Sequence, residues 1–139
     1  MSQKTILIVD DDPDMRLGLH VRLKANHYNV IFAADGIASI AEARKHMPDL
    51  IILDLGLPAG DGFSVMDRLK ANDSLSLIPV IVVSARDRTA NMDRAIRAGA
   101  KAFLQKPVDN AELLAVIRQV LGGSSLADKP TVYDLGSLE

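Results

Sequence analysis

Short apolar runs alternate along the chain with longer segments in which apolar and polar residues mix. The short runs are rich in Ile, Leu and Val, which is typical of parallel strands buried on both faces. They predict five strands, at residues 6–9, 29–33, 50–53, 79–83 and 102–104. The mixed segments predict five helices, at residues 13–23, 36–47, 63–71, 89–98 and, for the last, up to residue 121. Five strand–helix units in about 120 residues favour an α/β fold with a doubly wound parallel sheet, right-handed crossovers and helices on both faces.

The first helix has an ambiguous pattern. Met15–Leu23 alternates apolar residues with polar residues or glycine, as a half-buried strand would. Asp12 directly before Pro13, however, is typical of an N-cap followed by a proline in the first turn. Because parallel strands also need a long connection, we predict a helix here. Three further signals mark helix faces and ends: a face of Ile37, Ile40 and Ala41 in the second helix, Gly99 as a left-handed C-cap of the fourth, and Asp109 with Glu112 as a capping box before the fifth.

Composition narrows the class of protein. A chain of 139 residues with 48% hydrophobic content fits one globular domain with a core of its own. The absence of cysteine excludes disulfides and thiolate metal sites and suits a reducing cytosol. The N-terminus lacks the apolar stretch of a signal peptide, and no run approaches the ~20 apolar residues of a membrane span. A formal charge of -2 without a basic stripe argues against direct nucleic-acid binding by this segment.

The C-terminal residues differ in composition from the rest. Gly122–Ser125 has the composition of a flexible linker. Leu126–Glu139 is too short for a domain. We expect a disordered end there rather than the first strand of a further module.

Polar side chains with matching chemistry follow four of the predicted strands. Asp10 and Asp11 follow the first strand, Asp54 the third, Ser84 the fourth and Lys106 the fifth. In an open α/β sheet, the residues past the carboxyl ends of the strands lie at the edge where ligands bind. We therefore expect these five residues to form one site, with Asp54 as the reactive residue.

This residue set predicts a metal-assisted phosphoryl transfer. Clustered carboxylates repel one another, by up to ~4 kcal/mol per pair at 4 Å and an effective dielectric of 20, so they favour a divalent cation. Oxygen ligands without His or Cys select Mg²⁺ or Mn²⁺ rather than Zn²⁺. A lysine and a hydroxyl beside a metal-bound carboxylate would stabilise phosphoryl transfer onto it.

Each of these residues also has an ordinary structural explanation. The Asp10–Asp12 triplet alone is better explained as a helix cap, Asp54 as a solvated loop acid, and Lys106 as a surface lysine. Their combination at four strand ends favours the functional interpretation. The three histidines, His20, His27 and His46, have no such neighbours and are interpreted as surface or helix residues, and the methionines as core filler.

Five ordered motifs resemble the receiver domain of two-component response regulators. They are Ile-Leu-Ile-Val-Asp-Asp-Asp-Pro at 6–13, Asp-Leu-Gly-Leu-Pro at 54–58, Gly-Asp-Gly at 60–62, Val-Val-Ser-Ala at 82–85, and Lys-Pro at 106–107. The resemblance covers residues 4–121, which it implies are one receiver domain. It implies a flavodoxin-like (βα)₅ fold with strand order 2-1-3-4-5.

The resemblance also implies a function for each residue at the strand ends. A histidine kinase or a histidine phosphotransfer protein would pass a phosphoryl group to Asp54, which makes the chain a phosphoacceptor rather than an enzyme. Asp11, Asp54 and the backbone carbonyl of Gly56 would bind Mg²⁺ directly, and Asp10 would bind it through water.

The remaining implied residues would read the phosphoryl group. Ser84 and Lys106 would each contact a phosphoryl oxygen, and Lys106–Pro107 would be a cis peptide. Phe103 matches the family's switch aromatic, whose burial would follow movement of Ser84 and alter the face of helix four, strand five and helix five. At Gly56 and Arg86 family members vary, which leaves the lifetime of the phosphorylated state open.

Three other functions compete with this one. A phosphatase that hydrolyses its own aspartyl phosphate needs a second acid where Gly56 stands. A flavodoxin or nucleotide module would need a glycine-rich phosphate loop instead of Asp10–Asp12. A receiver-like interaction domain that is never phosphorylated is the remaining alternative. Within the favoured function, the output partner or domain and a homodimer formed on phosphorylation stay open.

Overall fold

Five parallel strands form one sheet at the centre of the molecule. The computed structural model describes residues 3–57 and 61–122. The strands are β1 (Thr5–Val9), β2 (Asn29–Ala33), β3 (Leu50–Leu53), β4 (Val80–Ser84) and β5 (Ala102–Gln105), in the order β2-β1-β3-β4-β5. All four neighbouring pairs are parallel. The predicted doubly wound fold and strand order are therefore confirmed.

A helix follows each strand. The helices are α1 (Pro13–Ala25), α2 (Gly36–His46), α3 (Gly62–Lys70), α4 (Arg88–Arg97) and α5 (Asn110–Gly122), and a 3₁₀ turn at Leu75–Leu77 precedes β4. Most bounds lie within one or two residues of the predicted ones, but Gly122 ends α5 instead of beginning a linker. Pro58, Gly60, the rest of the predicted linker and the tail at 126–139 lie outside the described residues. Within the described ranges, no helix is both long enough and apolar enough for a membrane crossing.

Apolar clusters cover both faces of the sheet, which explains the unbroken apolar strands. Alternate residues of a strand point to opposite faces, so Leu7 and Val9 pack on the side of α2, α3 and α4, whereas Ile6 and Ile8 pack on the side of α1 and α5. All four of these side chains are fully buried. The central strands β1 and β3 are therefore firmly held, and their carboxyl ends are fixed points for a site.

Helix α1 confirms the helical prediction for the ambiguous segment. Leu19 and Leu23 face the core, whereas Leu17 and Val21 are 63% and 61% exposed. The apolar alternation was thus not a strand signal. It arises because two of the apolar residues lie on the solvent side of a helix.

Only one residue of the apolar face predicted for α2 is buried against the sheet. Ile40 is buried, but Ile37 is 64% exposed and Ala41 is also exposed. Ser39 and Ala43 take the core positions instead. Small residues allow this helix to approach the sheet, and the Ser39 hydroxyl donates a hydrogen bond to the Gly36 carbonyl at 2.6 Å, which offsets its burial.

An aspartate caps the N-terminus of each of the five helices that the structure describes. The predicted caps Asp12 and Asp109 accept hydrogen bonds from the backbone N–H groups of Asp14 and Ala111. The other three helices are capped in the same way by Asp35, Asp61 and Asp87. At the far end of α4, Gly99 has φ 111°, the positive value that was expected of a glycine there. Local side chains thus satisfy the helix starts at the edge where the strands end.

Candidate functional site

Three carboxylates meet at the carboxyl ends of β1 and β3. These strands are neighbours with Val9 opposite Leu53, so Asp10 and Asp54 emerge side by side. Asp10 is 3% exposed and Asp54 is 8% exposed, whereas Asp11 faces solvent. One carboxylate oxygen from each of the three residues lies within 4.8 Å of the other two. The structure therefore brings together the three acids that the strand ends predicted.

Lys106 supplies the positive charge of this site. Its Nζ lies 2.8 Å from Asp10 Oδ2 and 3.6 Å from Asp54 Oδ2. Its backbone N–H donates to the Ser84 carbonyl at 2.9 Å, which places Lys106 directly beyond β5, and the Lys106–Pro107 peptide bond is cis. Burial opposes the charged form of Lys106, but the hydrogen bond and charge of Asp10 together with those of Asp54 outweigh it, so the pKa of Lys106 is raised. The lysine is therefore a firmly held cation between two carboxylates.

Backbone N–H groups orient the two buried carboxylates. Asp12 donates to Asp10 Oδ1 at 2.9 Å, and Gly56 donates to Asp54 Oδ1 at 3.2 Å. Within the acidic triplet, the side chain of Asp12 caps α1 and that of Asp10 points into the site. Of the triplet, Asp12 is therefore the helix cap, whereas Asp10 and Asp11 belong to the acidic cluster.

Ser84 and Phe103 lie on adjacent strands next to this cluster. Ser84 ends β4, is 1% exposed, and accepts a hydrogen bond on Oγ from the backbone N–H of Arg86 at 3.2 Å. Phe103 pairs with Val82 in the β4–β5 register and is also 1% exposed. The ring is therefore already inside in this structure, and the burial that was expected to follow movement of Ser84 is in place here.

Contacts that the sequence did not predict join the loops around the site. The Arg86 guanidinium lies 3.3 Å from Asp61 Oδ2, which links the segment after β4 to the start of α3. The Arg94 guanidinium of α4 lies 3.8 Å from the centre of the Phe63 ring, a cation–π distance. Arg16 of α1 donates from Nη1 to the Asp10 carbonyl at 2.8 Å. Asp61 was detectable as a helix cap, but sequence separation hides the pairing with Arg86.

The donor set fits a hard divalent cation. Three carboxylates offer only oxygen, which suits Mg²⁺ or Mn²⁺. Gly56 lies two residues beyond Asp54 and is exposed, so its carbonyl is the remaining expected ligand. Two of the histidines have partners elsewhere. The ring centres of His20 and Phe32 are 5.5 Å apart, and His46 Nε2 lies 4.0 Å from Glu42 Oε1. Among the described residues, the acidic cluster contains no histidine.

Comparison with known proteins gives consistent matches. The family model for the response regulator receiver domain matches residues 6–118. The chain is 38% identical to response regulator PleD of Caulobacter vibrioides over 83% of this chain and 25% of PleD, so it spans a quarter of that relative. It is 36% identical to protein PilH of Pseudomonas aeruginosa over 85% of this chain and 98% of PilH.

A solved structure extends the match to the fold. The receiver domain of sensor histidine kinase PA1611 from Pseudomonas aeruginosa PAO1 superposes with a TM-score of 0.80 at 28% identity, over 87% of this chain and 99% of that one. That structure has a magnesium ion coordinated in its active site cleft.

Proposed function

Since this chain belongs to the response regulator receiver domain family of two-component systems, we propose that it accepts a phosphoryl group on Asp54 from the phosphohistidine of a partner. The observation that carries this proposal is the approach of three carboxylates to within 4.8 Å, with Lys106 Nζ 2.8 Å from one of them and 3.6 Å from another. A buried carboxylate that receives a dianionic group needs positive charge beside it, which Lys106 supplies and which a cation held by the three acids would add.

The transfer is a displacement at phosphorus. An Asp54 carboxylate oxygen attacks, the P–N bond to the donor histidine breaks, and the imidazole leaves with the electron pair of that bond. Asp11, Asp54 and the Gly56 carbonyl would hold Mg²⁺ directly and Asp10 through water. When bound, the ion would neutralise the negative charge that develops on the phosphoryl oxygens.

Two further residues respond to the product. Lys106 pairs with one oxygen of the aspartyl phosphate, which draws the ammonium away from Asp10. The Ser84 hydroxyl donates to another oxygen. The Ser84 hydroxyl oxygen accepts a hydrogen bond from the Arg86 N–H at 3.2 Å, which leaves its O–H proton available for this donation. Movement at Ser84 shifts the packing around Phe103, so the face of α4, β5 and α5 carries the signal to an output partner or domain.

The expected partners follow from this role. The donor is a histidine kinase or a histidine phosphotransfer protein in the cytoplasm, and the chain itself is a phosphoacceptor rather than an enzyme.

Phosphorylation promotes a homodimer through the face of α4, β5 and α5. Light scattering with and without beryllofluoride, a phosphoryl mimic, tests the dimer, and an unchanged molar mass in the presence of the mimic would refute it.

The proposed phosphoacceptor is tested by intact mass spectrometry after incubation with acetyl phosphate. We expect one phosphoryl adduct that requires Mg²⁺, is absent in Asp54→Asn, and persists in Asp93→Asn, where an exposed acid of α4 is neutralised in the same way. Absence of an adduct in the native chain, together with no Mg²⁺ binding in a titration, would refute phosphotransfer and favour a receiver-like interaction domain.

A further inference from the structure

Arg16 contacts the backbone of the site from outside the cluster of acids. It lies in the first turn of α1, where its own N–H donates to the Asp12 carbonyl at 3.0 Å. Its side chain folds back over the start of the helix, and Nη1 donates to the Asp10 carbonyl at 2.8 Å. The residue is half-buried, so this hydrogen bond is partly shielded from water.

The carbonyl that Arg16 contacts is at the point where β1 leaves the sheet. The Asp10 N–H still bonds to β2, through the Ala33 carbonyl at 3.1 Å, and β1 itself ends at Val9. The Asp10 carbonyl belongs to the peptide that connects the buried Asp10 to the exposed Asp11. Because the peptide is planar, its orientation sets the direction in which the chain enters Asp11 and so contributes to where the Asp11 carboxylate points.

We propose that Arg16 is a positioning residue for the divalent cation, because it holds the Asp10–Asp11 peptide in the orientation that brings the Asp11 carboxylate beside Asp10 and Asp54. This inference rests on the metal site of the proposed function and adds a residue that is not itself a ligand. Groups that orient ligands from outside contribute to metal affinity although they never touch the ion.

Arg16 affects Mg²⁺ affinity in two opposite ways, through its charge and through its hydrogen bond, and an experiment can therefore tell which effect is larger. A guanidinium next to the acidic cluster repels an incoming cation, so loss of its charge alone would strengthen Mg²⁺ binding. Loss of the hydrogen bond frees the Asp10–Asp11 peptide and weakens binding. Solvent screens the repulsion, whereas the hydrogen bond at 2.8 Å acts directly on the ligand backbone, so we expect the positional effect to dominate.

The test is isothermal titration of the full chain with Mg²⁺, without any phosphodonor. We expect Arg16→Gln to bind Mg²⁺ about tenfold more weakly than the native chain, the lower end of the range for residues that orient metal ligands. Arg16→Lys keeps the charge and one donor group and should show a smaller loss. Arg22→Gln removes an exposed arginine of the same helix and should leave the affinity unchanged.

A second readout separates positioning from damage to the fold. Circular dichroism establishes that the variants are folded, and backbone amide NMR shifts in Arg16→Gln should change mainly around Asp10–Asp12. With acetyl phosphate, excess Mg²⁺ should restore the initial labelling rate of Arg16→Gln, because only affinity for the ion is reduced.

Each outcome decides a different claim. Equal or tighter Mg²⁺ binding by Arg16→Gln overturns the positioning role, even if the native chain binds the ion. If Arg16→Gln is unfolded, Arg16→Lys decides, because lysine keeps the repelling charge but only one donor group: a reduced Mg²⁺ affinity supports the proposal, and an affinity equal to or above the native one overturns it. No Mg²⁺ binding by the native chain overturns the metal site of the proposed function and the role of Arg16 with it.

Discussion

A methyl group at Gly62 would meet the backbone that carries Asp54, the proposed phosphoacceptor. Gly62 begins α3, and its N–H donates to the Leu55 carbonyl at 3.0 Å, which brings the helix start directly against the end of β3. An ideal Cβ at this position would lie 2.6 Å from Leu55 Cα and 2.7 Å from the Asp54 carbonyl oxygen. Both are backbone atoms, so no side-chain rotation relieves the overlap.

We therefore expect Gly62→Ala to destabilise the protein and disturb the site. Forcing an extra carbon into a packed region costs about 1–3 kcal/mol, and alanine returns about 0.5–1 kcal/mol of helix propensity. The difference between these ranges is a net loss of at most about 2.5 kcal/mol in the free energy of unfolding, and because the overlapping atoms belong to the backbone we expect the upper half of that range, about 1–2.5 kcal/mol. Because the Asp54 carbonyl must move, Mg²⁺ affinity should fall as well.

The assay is urea denaturation with linear extrapolation, paired with an Mg²⁺ titration. Gly18→Ala is the matched control, since Gly18 lies inside α1 and a Cβ there meets nothing within 4 Å. That substitution should stabilise the protein by about 0.5–1 kcal/mol and leave Mg²⁺ binding unchanged. A Gly62→Ala variant as stable as the native chain would refute the reasoning, because it would mean that the end of β3 yields without cost.

Three other predictions concern ion pairs and a helix cap. In a double-mutant cycle with Arg86→Gln and Asp61→Asn, urea denaturation should give a coupling of about 0.2–1 kcal/mol, because both side chains are more than one-third exposed; a coupling above 2 kcal/mol would contradict this. Since the pKa of Lys106 is raised in the fold, its ionic contribution to stability is complete below the ordinary lysine value of about 10.4 and is lost as pH rises through the higher folded value. Alkaline denaturation curves should show this loss in the native chain and not in Lys106→Met, and parallel curves would refute it. Asp109→Ala should lower the free energy of unfolding by about 1 kcal/mol, because Asp109 Oδ1 accepts from the N–H groups of both Ala111 and Glu112; an unchanged urea midpoint would refute the capping role.

The strands and their ends could be predicted from the sequence because burial leaves a direct pattern. A strand covered on both faces must be apolar throughout, so the polar residue that ends it is conspicuous, as at Asp54 and Ser84. Parallel topology then brings those ends to one edge without any knowledge of distances. Aspartate caps such as Asp12 are equally local signals, since the residue lies next to the helix that it starts.

The features that escaped prediction depend on packing between distant segments. Ser39 occupies a core position of α2 because its hydroxyl finds a partner within the helix, which composition does not reveal. Arg16 and Arg86 are charged residues like many others in the chain, and their partners Asp10 and Asp61 become apparent only after the turns are folded. Periodicity describes which side of an element is apolar, but it does not say which polar groups meet across a turn.

The aspartate at the start of every described helix gives the molecule an asymmetric charge distribution. Together with Asp10, Asp11 and Asp54, the five caps put eight of the chain's 18 acidic residues at one edge of the sheet. Each helix dipole contributes roughly +0.5 elementary charge at this end. The side chains of Lys106, Arg16 and Arg86 offset part of the negative charge that is left. Under the proposed function, this excess negative charge would orient an approaching donor before contact, so a donor with a basic surface around its phosphohistidine would arrive already facing Asp54.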